Sequence, residues 1–142
     1  MRKANSNDLT FFFELKTEKQ SRINSLENKK ITPSAHKNWF LQKIKNKKNI
    51  LLVAIKNNNK IGIIRYDISE YFAEVSITID LNFRGQGHGA KILKKSESFL
   101  KKGTIIISKV KKTNKISLVI FKKNAYKVLS LKNKVYNLYK IF

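Results

Sequence analysis

The most regular pattern along the chain is the alternation in YFAEVSITID, where Ala73, Val75, Ile77 and Ile79 fall on one side and Phe72, Glu74, Ser76, Thr78 and Asp80 on the other. A period of two predicts a strand with one packed face and one polar enough to line a cleft. Two β-rich runs precede it, Ile50 to Ile55 and Ile61 to Ile68, joined by Asn57, Asn58 and Asn59. Asparagine tolerates left-handed backbone, so these runs predict an antiparallel hairpin. Upstream, Leu9, Phe12, Phe13 and Leu15 share one side of NDLTFFFELKTEKQ, with Asn7 or Asp8 as its N-cap. SRINSLENKKI predicts a polar connection. TPSAHKNWFLQKIKN predicts a second helix, capped by Thr32 or Ser34, with Pro33 in its first turn and Trp39, Phe40 and Ile44 at helical spacing.

After the alternating strand, LNFRGQGHGAKIL packs Gly85, Gly87 and Gly89 into five residues. GAKILKKSESFLKK keeps Ile92, Leu93, Phe99 and Leu100 near one face, which predicts a helix ended by Gly103 before the strand TIIISKV. NKISLVIFKKNAY predicts a short helix capped by Asn114, followed by two strands, KVLSL and VYNLYKIF, around a turn at Lys132 to Lys134. The pattern shows no repeat and no linker, so residues 1–142 are expected to form a single α/β domain.

Charge changes this picture only in part. The net charge of +22 suggests a nucleic-acid surface, yet lysine is spread along the chain and arginine appears only at Arg2, Arg22, Arg65 and Arg84. A solvated lysine surface fits that distribution, with a basic face for acidic or phosphate-bearing small ligands as the alternative. Absence of cysteine and the presence of two histidines argue against a metal site. No run approaches the roughly 20 apolar residues of a membrane span, and a soluble cytoplasmic protein is expected.

A helix that starts directly after a strand presents unpaired N–H groups and the positive end of its dipole, and glycines let a ligand approach that backbone. The turn therefore suits a diphosphate. A dinucleotide site of the Rossmann type needs G-x-G-x-x-G and an acidic residue ending the next strand; here the spacing is G-x-G-x-G and the strand ends in Val110 and Lys111. A Walker loop would end in G-K-[ST], and a merely tight turn needs one glycine rather than three.

Arg84-Gly85-Gln86-Gly87-His88-Gly89 matches the R-x-x-G-x-G motif of the GNAT family of N-acetyltransferases. A second family pattern, N-x-x-S-x-x-x-[YF]-x-K-x-G-F, resembles Asn114, Ser117, Phe121, Lys123, Ala125 and Tyr126. The resemblance implies a central mixed, mostly antiparallel twisted sheet of about six strands flanked by about four helices. The family's first strand is expected to be missing or truncated. It further implies acetyl-CoA as co-substrate. The turn from Gly85 through Gln86, Gly87, His88, Gly89 and Ala90 would hold the pyrophosphate, and Arg84 would add charge. Backbone near Ile79 and Leu81, on a strand splayed from its neighbour, would pair with the pantetheine arm and acetyl carbonyl; Asn114, Phe121 and Lys123 would lie along the cofactor.

Acetyl transfer to an amine requires a neutral amine, so a base must take a proton. Glu74, on the polar face before the turn, is the candidate, its pKa raised by burial or else tied up by a lysine. Ser76 could relay a proton through water, and Asp80 is expected to be structural. Where relatives carry a tyrosine as proton donor, this chain has Phe121; a thiol leaving group with a pKa of about 8.5 needs less acid assistance than an alkoxide.

Arg22, Ser25, Ile31, His36, Trp39 and Phe40 resemble the branch acting on nucleotide-linked amino sugars of the pseudaminic-acid pathway type. Trp39 could stack on a sugar or base and Arg22 meet a diphosphate. Alternatively, Trp39 and Phe40 belong to the core, with His36 their solvent-facing neighbour, a substrate contact or a second base. The partner expected is a small-molecule amine, with homodimerisation open. A protein N-terminal acetyltransferase and a non-catalytic CoA- or nucleic-acid-binding module are the competing readings.

Overall fold

Alternation along the central strand sorts the protein into layers. The computed structural model describes residues 1–142, with elements in the order β1 (Arg2–Lys3), α1 (Leu9–Thr17), α2 (Lys19–Asn24), α3 (Pro33–Lys45), β2 (Asn49–Lys56), β3 (Asn59–Ile68), β4 (Phe72–Ile79), α4 (His88–Ser96), β5 (Ile105–Lys111), α5 (Lys115–Lys123), β6 (Lys127–Lys132) and β7 (Val135–Ile141). The seven strands form one sheet in the order β1-β2-β3-β4-β5-β7-β6. Every pairing is antiparallel except β4 with β5. Ala73 and Val75 bury with Leu52, Ile64, Tyr66, Ile106 and Leu138 against Ile92 and Leu93 of α4 and Phe121 of α5. On the opposite face, Leu51 and Val53 pack with Phe12 of α1 and Phe40 of α3. The strand registers place Glu74, Ser76 and Thr78 on this second face, beside Asp67, Arg65 and Ile63 of β3. No helix is long and apolar enough to cross a membrane.

Several local signals act as read. Thr32 accepts the Ala35 N–H at 3.2 Å ahead of Pro33, and the hairpin between β2 and β3 turns through Asn57 and Asn58 at φ 48° and 63°. The first strand is truncated, one of the two alternatives expected: only Arg2 and Lys3 pair, with Val53 and Leu52. What holds it is Asp8, fully buried, which accepts both ends of the Arg2 guanidinium at 2.7 and 3.0 Å and meets the Lys60 ammonium at 2.9 Å. Asp8 therefore joins β1 to β3 instead of capping α1 through its side chain. The first helix stops at Thr17, and a separate one, α2, runs from Lys19 into the stretch read as a polar connection, its N-terminal amides, Gln20 and Ser21, capped by Glu18 at 2.8 and 2.9 Å. The helix after the glycines ends at Ser96 and tightens into a 3-10 turn, Glu97–Phe99, so Gly103 lies beyond its end. Glu97 is buried there and bound by Lys140 of β7 at 2.6 and 2.8 Å, which pins this turn to the sheet.

Burial alone would raise the Asp8 pKa, but the bonds from Arg2, the Asn5 N–H and Lys60 outweigh it and hold the carboxyl well below the usual range. Its folded pKa thus lies below its unfolded one, so its stabilisation is complete above pH about 4 and is lost as pH falls from there toward the depressed native value. Asp8→Asn should cost about 2 kcal/mol in urea melts at pH 7. It should also flatten the decline of stability below pH about 4; a wild-type acid slope in the variant would contradict this role.

Candidate active site

β4 and β5 run together for three residue pairs, Phe72–Ile105, Ala73–Ile106 and Glu74–Ile107, and then part. The Ser108 hydroxyl donates to the Val75 carbonyl at 3.2 Å and closes the apex. Beyond it β4 stays with β3 and β5 with β7, leaving a fork. Ser69 donates to the Phe72 carbonyl and Asp80 to that of Ile61, so with the observed register the even-numbered peptides of β4 bond to β3. The odd-numbered ones, Ile77 and Ile79, face the fork. Arg84 Nε takes the Ile79 carbonyl at 2.9 Å, which leaves the Ile79 N–H and both peptide groups of Ile77 as an open ladder edge. Leu81 is not part of this edge; it lies in the 3-10 turn Leu81–Phe83, where its carbonyl accepts the Arg84 N–H.

The glycines at the fork mouth divide their work. Gly85 and Gly87 adopt φ of 73° and 75°, and a Cβ added to either would meet nothing within 4 Å, so the left-handed backbone has an open side. Gly89 is different: its Cβ would lie 2.6 Å from Ile120 Cδ1, so it is small because α4 packs against α5. Each glycine thus has a local reason, and the count of three is less diagnostic than the spacing suggested. α4 begins at His88, which puts the N–H groups of His88, Gly89 and Ala90 in a first turn without intrahelical acceptors. His88 Nε2 lies 3.3 Å from both Lys56 Nζ and Gln86 Oε1. Free amides, an open left-handed turn and an unpaired strand edge in sequence suit an elongated ligand with a diphosphate at one end and amides along its length.

Arg84 does not point its charge at this cradle. Its Nη2 binds Glu18 at 2.8 Å and the Ser21 hydroxyl at 3.1 Å, so the guanidinium is committed to α2. Although burial pushes the Glu18 carboxyl up, the Gln20 N–H, Arg84 and Ser21 bring it down to about 2. At the other end of α2, Lys111 Nζ donates to the Ile23 carbonyl at 2.7 Å. Glu18, Ser21 and Lys111 carried no local signal, because each contact joins segments more than sixty residues apart.

Asn114 caps α5, accepting the Ser117 N–H at 3.1 Å. Phe121 is buried in the core, edge-on to Tyr126 with centroids 4.9 Å apart, and Lys123 is exposed at the end of α5. The Tyr126 hydroxyl is buried without a partner, and burial drives its pKa far above the ordinary value. Glu74 is a third exposed and binds Lys109 at 3.0 Å; the burial expected for it is not found, and the pairing with a lysine is. Ser76 is exposed two residues along the same face.

The acceptor-side expectations separate. Arg22 lies on α2 with its Nε buried and unpartnered. His36 is not solvent-facing but 1% exposed, caged by Phe13, Trp39 and Phe40 at 5.2, 5.4 and 6.2 Å between ring centroids, with neither ring nitrogen hydrogen-bonded. Trp39 packs at the edge of the same cluster, with Lys16 Nζ 4.2 Å and Arg65 Cζ 5.6 Å from its ring centroid.

A profile described as the Acetyltransferase (GNAT) family matches residues 11–126. A search of curated protein sequences returned no match. Among solved structures, the chain superposes on spermidine N-acetyltransferase from Vibrio cholerae, in complex with CoA and spermine, with a TM-score of 0.86 at 15% identity, covering 99% of this chain and 93% of that one. A ribosomal-protein-alanine N-acetyltransferase from Brucella melitensis gives a TM-score of 0.78 at 17% identity, with coverage of 99% and 98%. An aminoglycoside acetyltransferase in complex with coenzyme A gives 0.80 at 11% identity, with coverage of 99% and 92%. At such identities the superpositions establish a shared fold.

Burial, reinforced by the nearby Lys16 charge, lowers the His36 pKa. With the folded value below the unfolded one of about 6.5, burial of the neutral ring favours folding above that pH and loses ground as pH falls below it. Urea midpoints should therefore decline between pH about 7.5 and about 5.5 in the wild type and much less in His36→Leu. Equal slopes would place the titration elsewhere.

Proposed function

The chain belongs to the Acetyltransferase (GNAT) family, and on that premise we propose that the fork between β4 and β5, with the turn from Gln86 to Ala90, holds acetyl-CoA for transfer of its acetyl group to the primary amine of an anionic acceptor, a nucleotide-linked amino sugar. The protein is an N-acetyltransferase with acetyl-CoA as co-substrate. The observation that carries the site assignment is the open edge of β4 leading straight into the amides of α4. The first-turn amides of His88, Gly89 and Ala90 meet the diphosphate, with Gly85 and Gly87 leaving room for it and Lys56 adding positive charge. The Ile77 and Ile79 peptide groups extend the β4 ladder onto the amides of the arm. Asn114 and Lys123 flank the ligand from α5, and Phe121 supports that wall from the core.

Acetyl-CoA supplies a thioester-activated acetyl group; the protein must supply a neutral amine in line with it. Glu74 lies on the last shared rung of β4 and β5 and on the acceptor-side face. It takes the ammonium proton through water, with Ser76 next along that face. Lys109, 3.0 Å away, holds the carboxylate in place.

Charge supports an anionic acceptor. The two carboxylates on the strand floor are already used: Asp67 binds Lys43 and Arg65, and Glu74 binds Lys109. Lys16, Arg22 and Lys111 have no carboxylate partner. A polycation finds no free carboxylate on this floor, whereas a diphosphate would meet cations that no carboxylate neutralises. Arg22 and the outer edge of Trp39 contact the acceptor, and His36 backs Trp39 from within.

Calorimetry with acetyl-CoA should give micromolar binding for the wild type and a loss of about 100-fold or more for Gly87→Glu, whose carboxylate occupies and repels the diphosphate position; equal affinities would remove the turn from the site. In Glu74→Gln, kcat/KM should fall by about 10²-fold or more and lose its acidic limb. A UDP-linked amino sugar should be acetylated at a kcat/KM at least about tenfold above spermidine, with the reverse order excluding the anionic acceptor.

A further inference from the structure

Arg84 reaches three places at once. Its backbone opens the glycine turn, its Nε holds the Ile79 carbonyl on the fork edge, and its Nη2 holds Glu18 and Ser21 of α2. Lys111, on the other rim of the fork, holds the Ile23 carbonyl at the far end of α2. The short helix is thereby strapped across the fork, from the β4 rim to the β5 rim. It has six residues and buries none of them. A helix that short has no stability of its own, and with no residue fully buried its position depends on these polar ties.

We propose that Arg84 and Glu18 are positioning residues that transmit occupancy of the cofactor turn to α2, so that the acceptor-side wall becomes fixed when acetyl-CoA binds. The inference rests on the reading of the fork as the acetyl-CoA site and adds a coupling between the two substrates. A bound diphosphate fixes the turn that begins at Arg84, and a ligand amide paired with Ile79 fixes the carbonyl that Arg84 Nε grips. With both anchors held, the guanidinium loses less freedom when it grips Glu18, and the ion pair that places α2 is strengthened. Linkage makes the effect reciprocal: an acceptor that contacts α2 tightens acetyl-CoA by the same factor. Arg84 thus resembles a phosphate ligand in sequence and works as a tie in the fold.

Hydrogen exchange with coenzyme A as the probe tests this without turnover. In the wild type, saturating coenzyme A should slow exchange of residues 18–24 by about fivefold or more. Glu18→Gln should bind coenzyme A within about threefold of wild type yet show no such slowing. Because that substitution also weakens the cap on Gln20 and Ser21, Arg84→Lys serves as the second variant: Glu18 still caps α2, but the forked grip on Ile79, Ser21 and Glu18 is gone, and the response to coenzyme A should vanish. Unchanged exchange of 18–24 in the wild type on binding coenzyme A would overturn the coupling and leave the cofactor site standing. Wild-type slowing in either variant would also overturn it. Failure of the wild type to bind coenzyme A would overturn the site assignment itself, and the coupling with it.

Discussion

Two parallel strands that share three rungs and then separate leave backbone groups that no protein partner satisfies. The rest of the molecule is arranged around that exposed edge. β3 stays paired with β4 along its length and β7 with β5, so the gap does not close by collapse. Ser108 fixes where it starts, α4 springs from its mouth with free amides, and α2 bridges the far side. An unpaired peptide group buried dry costs about 1–3 kcal/mol, so such an edge persists only where water or a ligand can reach it. The fork is therefore a site because of what its backbone lacks, and side chains refine it.

Electrostatics follow the same economy. The chain has nine carboxylates against 31 lysines and arginines. Asp8, Glu18, Asp67, Glu74 and Glu97 all form ion pairs, and each joins segments distant in sequence: the stretch after β1 to β3, the start of α2 to the glycine turn, β3 to α3, β4 to β5, and the end of α4 to β7. Acidic groups are spent as internal ties, and the surface left over is cationic. Such a surface favours ligands that carry phosphate, at the cofactor turn and on the acceptor side alike.

Features written in a few neighbouring residues were legible in the sequence. The alternation of Phe72 to Ile79, the caps at Thr32 and Asn114, the asparagine hairpin and the strand-turn-helix order at Gly85 to Gly89 all depend on local backbone preference, and the fold class follows from them. Features set by distant partners were not. β1 forms because Arg2 meets Asp8 and the edge of β2; α2 forms because Glu18 caps it and Arg84 and Lys111 hold it, while its own residues show no apolar face. His36 sits at a spacing that allows either side of α3, and only the cage of Phe13, Trp39 and Phe40 decides for burial. Arg84 was assigned to the cofactor because the motif contains it, but the motif is silent on where a long side chain reaches.

The central claim is that an open strand edge and a helix start form one continuous cradle for acetyl-CoA. Amide chemical shifts during titration of the labelled protein with coenzyme A test it residue by residue. The account predicts that the largest changes fall on Ile77, Ile79 and Gly87 to Ala90 together, tracing the β4 edge into the first turn of α4. Shifts confined to surface lysines, or a response of the turn with none along β4, would contradict it.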